Sequence, residues 1–301
     1  MIERADSETL FSPRRWFLGE DGLVRPFWRS VLFIVMTVFL FLLVNQLLRP
    51  LVFGWPTAAR VGARFIAVTI ALLLLSWLLL AAFDRRPLRH LGLWFYRGAV
   101  REFAVGWAVG AALIAAVAVL LMAAGSLVYH AFWRGEVGGV VLWIVLLLIA
   151  SAAEEIAFRG YGMQRLIDAI GEPAGVLVFS ALFAMVHMNN PSSSTLSALN
   201  TFLAGILLSL AYLKTRALWL PIGLHWSWNF MMGQVFSLPI SGLNLAPRLF
   251  KAEVSGPEWL SGGSYGPEGS ILFTVVCTLA ILWLSQTKSI TPSPAVEEGL
   301  E

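Results

Sequence analysis

The sequence predicts an all-α protein, a polytopic transmembrane helix bundle of about eight spans with both termini in the cytoplasm. Its 301 residues are 58% hydrophobic and only 13% charged, and the mean hydropathy is +0.77. A soluble domain typically has about 25% charged residues. Uncharged apolar runs of roughly 20 residues have the length that crosses a bilayer. The alternation of period two that a transmembrane β-barrel needs is not visible, so the spans are predicted to be helices.

Eight apolar segments occur in order along the chain, of which the fourth is longer than one span and the fifth is short. Their approximate limits are residues 31–48, 61–83, 103–124, 138–166, 173–188, 195–213, 217–236 and 269–285. This pattern predicts five regions: an N-terminal cytoplasmic tail (1–30), three spans (31–137), a helical core (138–236), an extracytoplasmic loop (237–268), and a last span with a cytoplasmic tail (269–301).

The distribution of lysine and arginine sets the predicted orientation. If the N-terminus is cytoplasmic and all eight segments cross, 15 of the 21 Lys and Arg residues lie inside. Because cytoplasmic loops are enriched in these residues, both termini are predicted to be cytoplasmic. The first 26 residues lack the apolar core of a signal peptide and are interpreted as a tail with an interfacial stretch around Phe11 to Leu18.

Small residues and the single cysteine give two further expectations. Gly106 and Gly110 form a small-xxx-small pair that suits close helix packing in the third segment. Cys277 lies within the last apolar run and is expected to be packed there, since a lone thiol excludes an internal disulfide and a thiolate metal cage.

Three polar groups lie within the predicted spans, where ionisable side chains are costly and are candidates for function. They are EEIAFR (Glu154, Glu155, Arg159), FAMVH (Phe183, His187) and HWSWN (His225, Asn229). Each group alone has a simpler explanation, namely a structural ion pair, a histidine that bonds to a neighbouring helix, and a chance match. Their combination favours one site.

Helix geometry supports that combination. At 1.5 Å per residue, Glu154 lies about 18 Å from the end of its helix near residue 166. By the same rule His187 lies about 21 Å from the helix start near Pro173, and His225 about 16 Å from the start near Lys214. The three groups are therefore predicted to lie near one depth, close to the middle of the membrane.

Spacing within each group indicates which side chains share a face. Residues four apart point the same way, so Glu155 is expected to pair with Arg159, and His225 to point with Asn229. Glu154 is rotated by about 100° from Glu155. It is predicted to face the pocket, where a carboxylate can serve as a general base.

The same residues resemble those of a known family, the CPBP intramembrane endopeptidases, which include the type II CAAX prenyl endopeptidases and the bacteriocin-processing, Abi-like proteins. The resemblance is carried by EExxxR in EEIAFRG (154–160), FxxxH in FAMVH (183–187) and HxxxN in HWSWN (225–229). The segment that leads into the last motif, SLAYLKTRALWLPIGLHWSWN (209–229), is also similar. The resemblance covers roughly residues 138–232, and no motif residue departs from the pattern.

This resemblance implies an intramembrane peptidase whose catalytic part is the helical core (138–236). A glutamate-activated water would cleave a peptide bond, with hydrogen bonds to the developing oxyanion contributing several kcal/mol in comparable sites. The resemblance implies that Glu154 is the general base and that His187 helps to hold or activate the water. It implies that His225 and Asn229 donate hydrogen bonds to the oxyanion. The supporting residues would be Glu155, Arg159 and Phe183.

Alternatives stay open at the level of sequence. Two histidines and a glutamate can form a three-ligand zinc site with an open position, but HExxH is absent and the histidines lie on different helices, so no cofactor is expected. A second class is a non-proteolytic scaffold that regulates a partner membrane protein. A transporter is disfavoured because there is no inverted repeat.

The expected partners are the lipid bilayer and a membrane-associated peptide or protein substrate, and nothing indicates nucleic acid. The substrate would be a CAAX-like protein or a leader or exported peptide. Three lysines against 18 arginines indicate a GC-rich bacterial genome. The predicted location is therefore the bacterial cytoplasmic (inner) membrane.

Overall fold

A computed structural model describes residues 16–132, 137–245 and 249–296. These residues are mostly helical and contain ten α-helices. The helices are α1 (Pro26–Leu51), α2 (Thr57–Leu79), α3 (Ala99–Ala123), α4 (Val137–Arg159), α5 (Tyr161–Ile170), α6 (Glu172–His187), α7 (Thr195–Thr215), α8 (Trp219–Phe230), α9 (Glu258–Ser261) and α10 (Ile271–Gln286). One turn of π-helix extends α2 to Asp84, and another extends α8 to Val235.

All eight predicted apolar segments are helical, and in the described residues five helical stretches are long and apolar enough to cross a membrane. These are Pro26–Leu51, Thr57–Asp84, Ala99–Ala123, Gly138–Ile170 and Thr195–Thr215. Helices α6 and α10 are apolar but shorter, and α8 has 12 residues. The chain is a helical integral membrane protein; the eight crossings and the cytoplasmic termini stay predictions. The predicted interfacial stretch at Phe11 to Leu18 lies mostly outside the described residues, as does part of the N-terminal tail.

Helix α1 shows why a membrane is needed around this fold. Val35, Phe39 and Leu47 are each more than half exposed on its surface. Contiguous apolar surface of this kind is unstable in water but suits contact with lipid tails. The opposite side of the helix packs against α2 and α5.

The fourth apolar segment is not one continuous helix, which corrects part of the depth argument. Helix α4 ends at Arg159, because Gly160 adopts a ψ of −141° that no α-helix contains, and α5 begins at Tyr161. Glu154 is therefore about 8 Å from the end of its helix rather than 18 Å. Helix α8 likewise begins at Trp219 and not near Lys214, which belongs to α7. His225 is thus about 9 Å from its helix start.

The predicted close packing at Gly106 and Gly110 is confirmed, and the partner of α3 is the helix that carries the last motif. A Cβ atom at Gly106 would lie 2.1 Å from the carbonyl oxygen of Leu220, and one at Gly110 would lie 2.3 Å from that of Leu224. On the facing side, a Cβ at Gly223 would lie 2.2 Å from the carbonyl oxygen of Phe103. Glycine at these positions lets the backbones of α3 and α8 touch, which fixes the height of His225.

A buried carboxylate joins α1, α2 and α5 at one end of the bundle. Asp84 Oδ1 accepts from Arg29 Nη1 at 2.8 Å and from Arg165 Nη1 at 2.7 Å, while Tyr161 donates to Oδ2 at 2.7 Å. The Asp84 side chain is only 2% exposed. Because α5 follows α4 directly, this cluster also anchors the end of the helix that carries Glu154.

The loop predicted at 237–268 has structure of its own, which the all-α prediction did not include. Strand β1 (Leu127–Phe132) pairs antiparallel with β2 (Phe250–Val254), from Leu127 opposite Val254 to Phe132 opposite Phe250. Helix α9 and two short 3-10 turns, Gly263–Tyr265 and Pro267–Gly269, complete the segment. Glu268 lies in the second of these turns and lines the cavity described below.

Candidate active site

A cavity of about 840 Å³ lies between α1, α2, α4, α6, α7 and α8. Its wall is mostly apolar, with α1 and α2 contributing residues such as Phe33, Phe41 and Phe65. The polar groups on the same wall include Glu154, His187, His225, Asn229, Ser241 and Glu268. All four residues that the sequence proposed as catalytic therefore border one space.

Two imidazole rings converge on one carboxylate oxygen. His187 Nε2 lies 3.8 Å and His225 Nε2 lies 3.7 Å from Glu154 Oε2. Among the described residues this oxygen has no hydrogen-bond partner, although it is buried. The Glu154 side chain as a whole is 29% exposed, because it borders the cavity. A small molecule such as water that enters the cavity can contact all three side chains.

The end of α6 sets the orientation of His187. This residue is the last of its helix, and its Nδ1 lies 2.7 Å from the carbonyl oxygen of Phe183. A carbonyl oxygen can only accept, so Nδ1 carries the proton. When the ring is neutral, Nε2 carries the lone pair and faces Glu154. The ring of Phe183 also packs against His187, with centroids 4.4 Å apart.

Glu155 does more than the sequence predicted, because it contacts His225 as well as Arg159. Its Oε1 accepts from Arg159 Nη1 at 3.1 Å, as expected from the four-residue spacing, and lies 2.7 Å from His225 Nδ1. The Glu155 and Arg159 side chains are fully buried. A carboxylate at Nδ1 fixes the proton there and stabilises a positive imidazole ring, so Glu155 controls which atom His225 turns to the cavity.

Arg159 connects Glu155 to helix α7. Its Nη2 donates to the carbonyl oxygen of Gly205 at 2.9 Å, and its Nε reaches Ser209 Oγ at 3.4 Å. The guanidinium carbon also lies 4.8 Å from the centroid of the Phe183 ring, a cation–π contact. The buried positive charge is thus engaged on three sides, and the residues Glu155, Arg159 and Phe183 form one support behind the histidines.

Sequence reasoning missed Glu268, which lies more than 30 residues beyond the last motif. Its Oε2 accepts from the backbone N–H of Ser241 at 2.7 Å and from the Ser241 hydroxyl at 2.6 Å, and its Oε1 accepts from Trp228 Nε1 at 3.1 Å. Burial raises the pKa of the Glu268 carboxyl, and the donors of Ser241 and Trp228 oppose that rise. No sequence signal marked this residue, because it reaches the cavity only through the fold of the loop.

The two histidine nitrogens lie farther from the Glu154 oxygen than zinc ligands lie from one another. Tetrahedral coordination at about 2.0–2.1 Å puts ligand atoms roughly 3.3 Å apart, whereas the Glu154–His187 and Glu154–His225 distances are 3.8 and 3.7 Å. Within the described ranges, no group of three or more His, Cys, Asp and Glu side chains is arranged to hold a metal ion. Zinc coordination by these three residues would require each to move by several tenths of an ångström.

The fold and the site together define a class: a helical membrane protein with a buried cluster of glutamate and histidine around a cavity in the bundle. The family comparison agrees, since residues 135–231 match the family described as type II CAAX prenyl endopeptidase Rce1-like. The recognition of the CPBP family from the three motifs is confirmed over this region, and the match supports a membrane protease in general terms. No curated protein matches the chain.

Proposed function

We propose that this protein is an intramembrane endopeptidase in which Glu154 activates a water molecule to hydrolyse a peptide bond. The observation that carries the proposal is the convergence of His187 Nε2 and His225 Nε2 on Glu154 Oε2. A carboxylate that borders the cavity beside two oriented imidazoles is well placed for general-base catalysis. The family match supports proteolysis in general terms.

The chemistry follows from the orientation of each group. Glu154 removes a proton from the water while the water oxygen bonds to the carbonyl carbon of the substrate. His187 accepts a second hydrogen bond from that water through Nε2. The C–N bond then breaks, and Glu154 returns the proton to the nitrogen of the leaving amine. The products are a carboxyl group and an amine, so the protons balance.

The negative charge that develops on the carbonyl oxygen needs donors. Asn229 can supply an amide N–H from the cavity wall. His225 can donate from Nε2 only when it is protonated, because Nδ1 already holds its proton for Glu155. The Glu155 carboxylate, at 2.7 Å, favours that protonated ring. Removal of one oxyanion donor typically lowers kcat by about 10²- to 10³-fold.

The substrate class follows from the lining of the cavity. Apolar side chains cover most of the wall, many of them from α1, α2 and α4, so a peptide with an apolar or lipid-anchored segment fits better than a soluble one. The substrates we propose are membrane-associated peptides, either CAAX-like proteins or leader and exported peptides. The site of action that we propose is the bacterial cytoplasmic membrane.

Purified protein in detergent, incubated with two probe peptides, tests this proposal. One probe is a prenylated CAAX-type peptide and the other is an unprenylated leader-type peptide, and mass spectrometry locates the cut. We expect cleavage of an internal bond that persists with excess chelator. Activity that disappears with chelator and returns with zinc would replace the metal-free mechanism. A folded protein that cleaves neither probe would favour the scaffold function.

A further inference from the structure

Glu268 is held in place from two directions, which sets it apart from an ordinary loop carboxylate. Its side chain accepts the three hydrogen bonds from Ser241 and Trp228 described above. Its backbone carbonyl oxygen accepts from Asn200 Nδ2 on α7 at 2.8 Å. Both ends of the residue are therefore fixed, so its carboxylate occupies a defined position on the cavity wall.

Asn200 is itself oriented by further bonds. It is completely buried, and its Nδ2 also donates to the carbonyl oxygen of Ser270 at 2.8 Å. Its Oδ1 accepts from the hydroxyl of Thr274 on α10 at 2.6 Å. An amide whose donor and acceptor are both engaged has a fixed orientation. The turn that carries Glu268 is thus attached firmly to α7 and α10.

Trp228 connects this rigid turn to the last motif. It lies between His225 and Asn229 in HWSWN, and its ring packs edge-on against Phe273 with centroids 5.0 Å apart. The bond from Trp228 Nε1 to Glu268 restrains rotation of this part of α8. Since Asn229 is the next residue, any rotation would move its amide relative to Glu154.

The second contact of Glu268 holds the loop that borders the same cavity. Ser241 adopts a positive φ of 46°, a conformation that non-glycine residues adopt uncommonly and that local bonds must maintain. Two of those bonds come from Glu268. Ser241, Leu243 and Leu245 line the same cavity as Asn229, so the position of the loop contributes to the shape of the wall.

We propose that Glu268 is a positioning residue, which orients Asn229 through Trp228 and shapes the neighbouring cavity wall through Ser241. The proposal rests on the peptidase function proposed above. It predicts that loss of Glu268 slows the chemical step more than it weakens substrate binding, because the groups it aligns act on the transition state.

The substitutions Glu268→Ala and Trp228→Phe test this inference in the full-length protein. Both variants should lower kcat by roughly 10- to 100-fold, as small displacements in active sites do, with KM close to that of wild type. Glu268→Gln should show a smaller defect, since one oxygen still accepts while its NH₂ group opposes a donor. Glu258→Gln, on an exposed residue of the same loop, is the matched control.

Amide hydrogen exchange, measured without substrate, separates this inference from the proposed function. In Glu268→Ala, exchange should increase in α8 and in residues 238–245, while α1 and α3 stay as in wild type. If wild type cleaves no probe peptide, the peptidase proposal fails, and the exchange pattern alone decides on Glu268. If Glu268→Ala does not fold, Trp228→Phe carries the test. Kinetics and exchange that match Glu258→Gln would overturn the inference.

Discussion

Glu155 Oε1 lies 2.7 Å from His225 Nδ1 and 3.1 Å from Arg159 Nη1, so one fully buried oxygen joins the positive charge of α4 to the histidine of α8. The two neighbouring glutamates thus have different tasks. Glu154 faces the cavity, whereas Glu155 faces the helix interface and holds the histidine in position. This separation leads to opposite predictions for the two residues.

Replacement of Glu155 by Gln should destabilise the fold. The substitution leaves Arg159 buried without a counter-charge, and removal of one partner from a buried ion pair typically costs about 3–5 kcal/mol. Thermal unfolding in detergent should show a lower Tm, together with weak activity. A Glu155→Gln protein with wild-type Tm and wild-type rate would contradict the role of this carboxylate.

Asn229 provides a test of oxyanion stabilisation. Asn229→Ala removes one amide donor from the cavity wall and should lower kcat by about 10²- to 10³-fold while KM changes little. Steady-state kinetics on the cleaved probe peptide measure both constants. A rise in KM with unchanged kcat would instead assign Asn229 to substrate binding.

The contact of α3 with α8 should tolerate no added side-chain atom. Gly106→Ala would bring a Cβ to 2.1 Å from the carbonyl oxygen of Leu220, which must move. We expect a loss of about 1–3 kcal/mol in unfolding free energy, typical of overpacking, with reduced activity because α8 is displaced. Gly138→Ala is the control, since its Cβ would meet no atom within 4 Å. Equal stability of the two variants would refute this packing.

Asp84 should be the most important carboxylate for attachment of α1 and α5. Asp84→Asn leaves Arg29 and Arg165 partly uncompensated in a buried setting, where an unpaired charge typically costs about 3–5 kcal/mol. Asp168 also pairs with Arg165, at 3.0 Å, but its side chain is 46% exposed. Asp168→Asn should therefore change stability by no more than about 1 kcal/mol. Denaturation of both variants in the same detergent gives the comparison.

The length of the apolar runs and the motif spacing were sufficient to predict that all eight segments are helical, the Glu155–Arg159 pair and the close packing at Gly106. They could not predict the end of α4 at Gly160, because the composition on both sides of that glycine is compatible with one long helix. The link from Glu155 to His225 joins residues 70 positions apart and depends on how α4 and α8 pack. Glu268 was invisible for the same reason, since its role arises only when the loop folds onto α7.

The small sheet illustrates the same limit. Strands β1 and β2 come from separate loops, and their pairing depends on the positions of the helices that each loop joins. The β2 segment FKAEV does alternate apolar and charged residues, a strand signal that the sequence prediction missed, whereas LVYHAF in β1 shows no clear alternation. The sequence therefore predicted the apolar helices better than the structure of the loops between them.

The rate of peptide cleavage by Glu154→Gln, compared with wild type in excess chelator, tests the central claim most directly. Glutamine keeps the size of the side chain but cannot accept a proton from water. We predict that wild type remains active and that the variant loses about 10²- to 10⁴-fold in kcat, the usual contribution of a general base, with an unchanged Tm. A Glu154→Gln protein that cleaves the same bond at the wild-type rate would contradict the account.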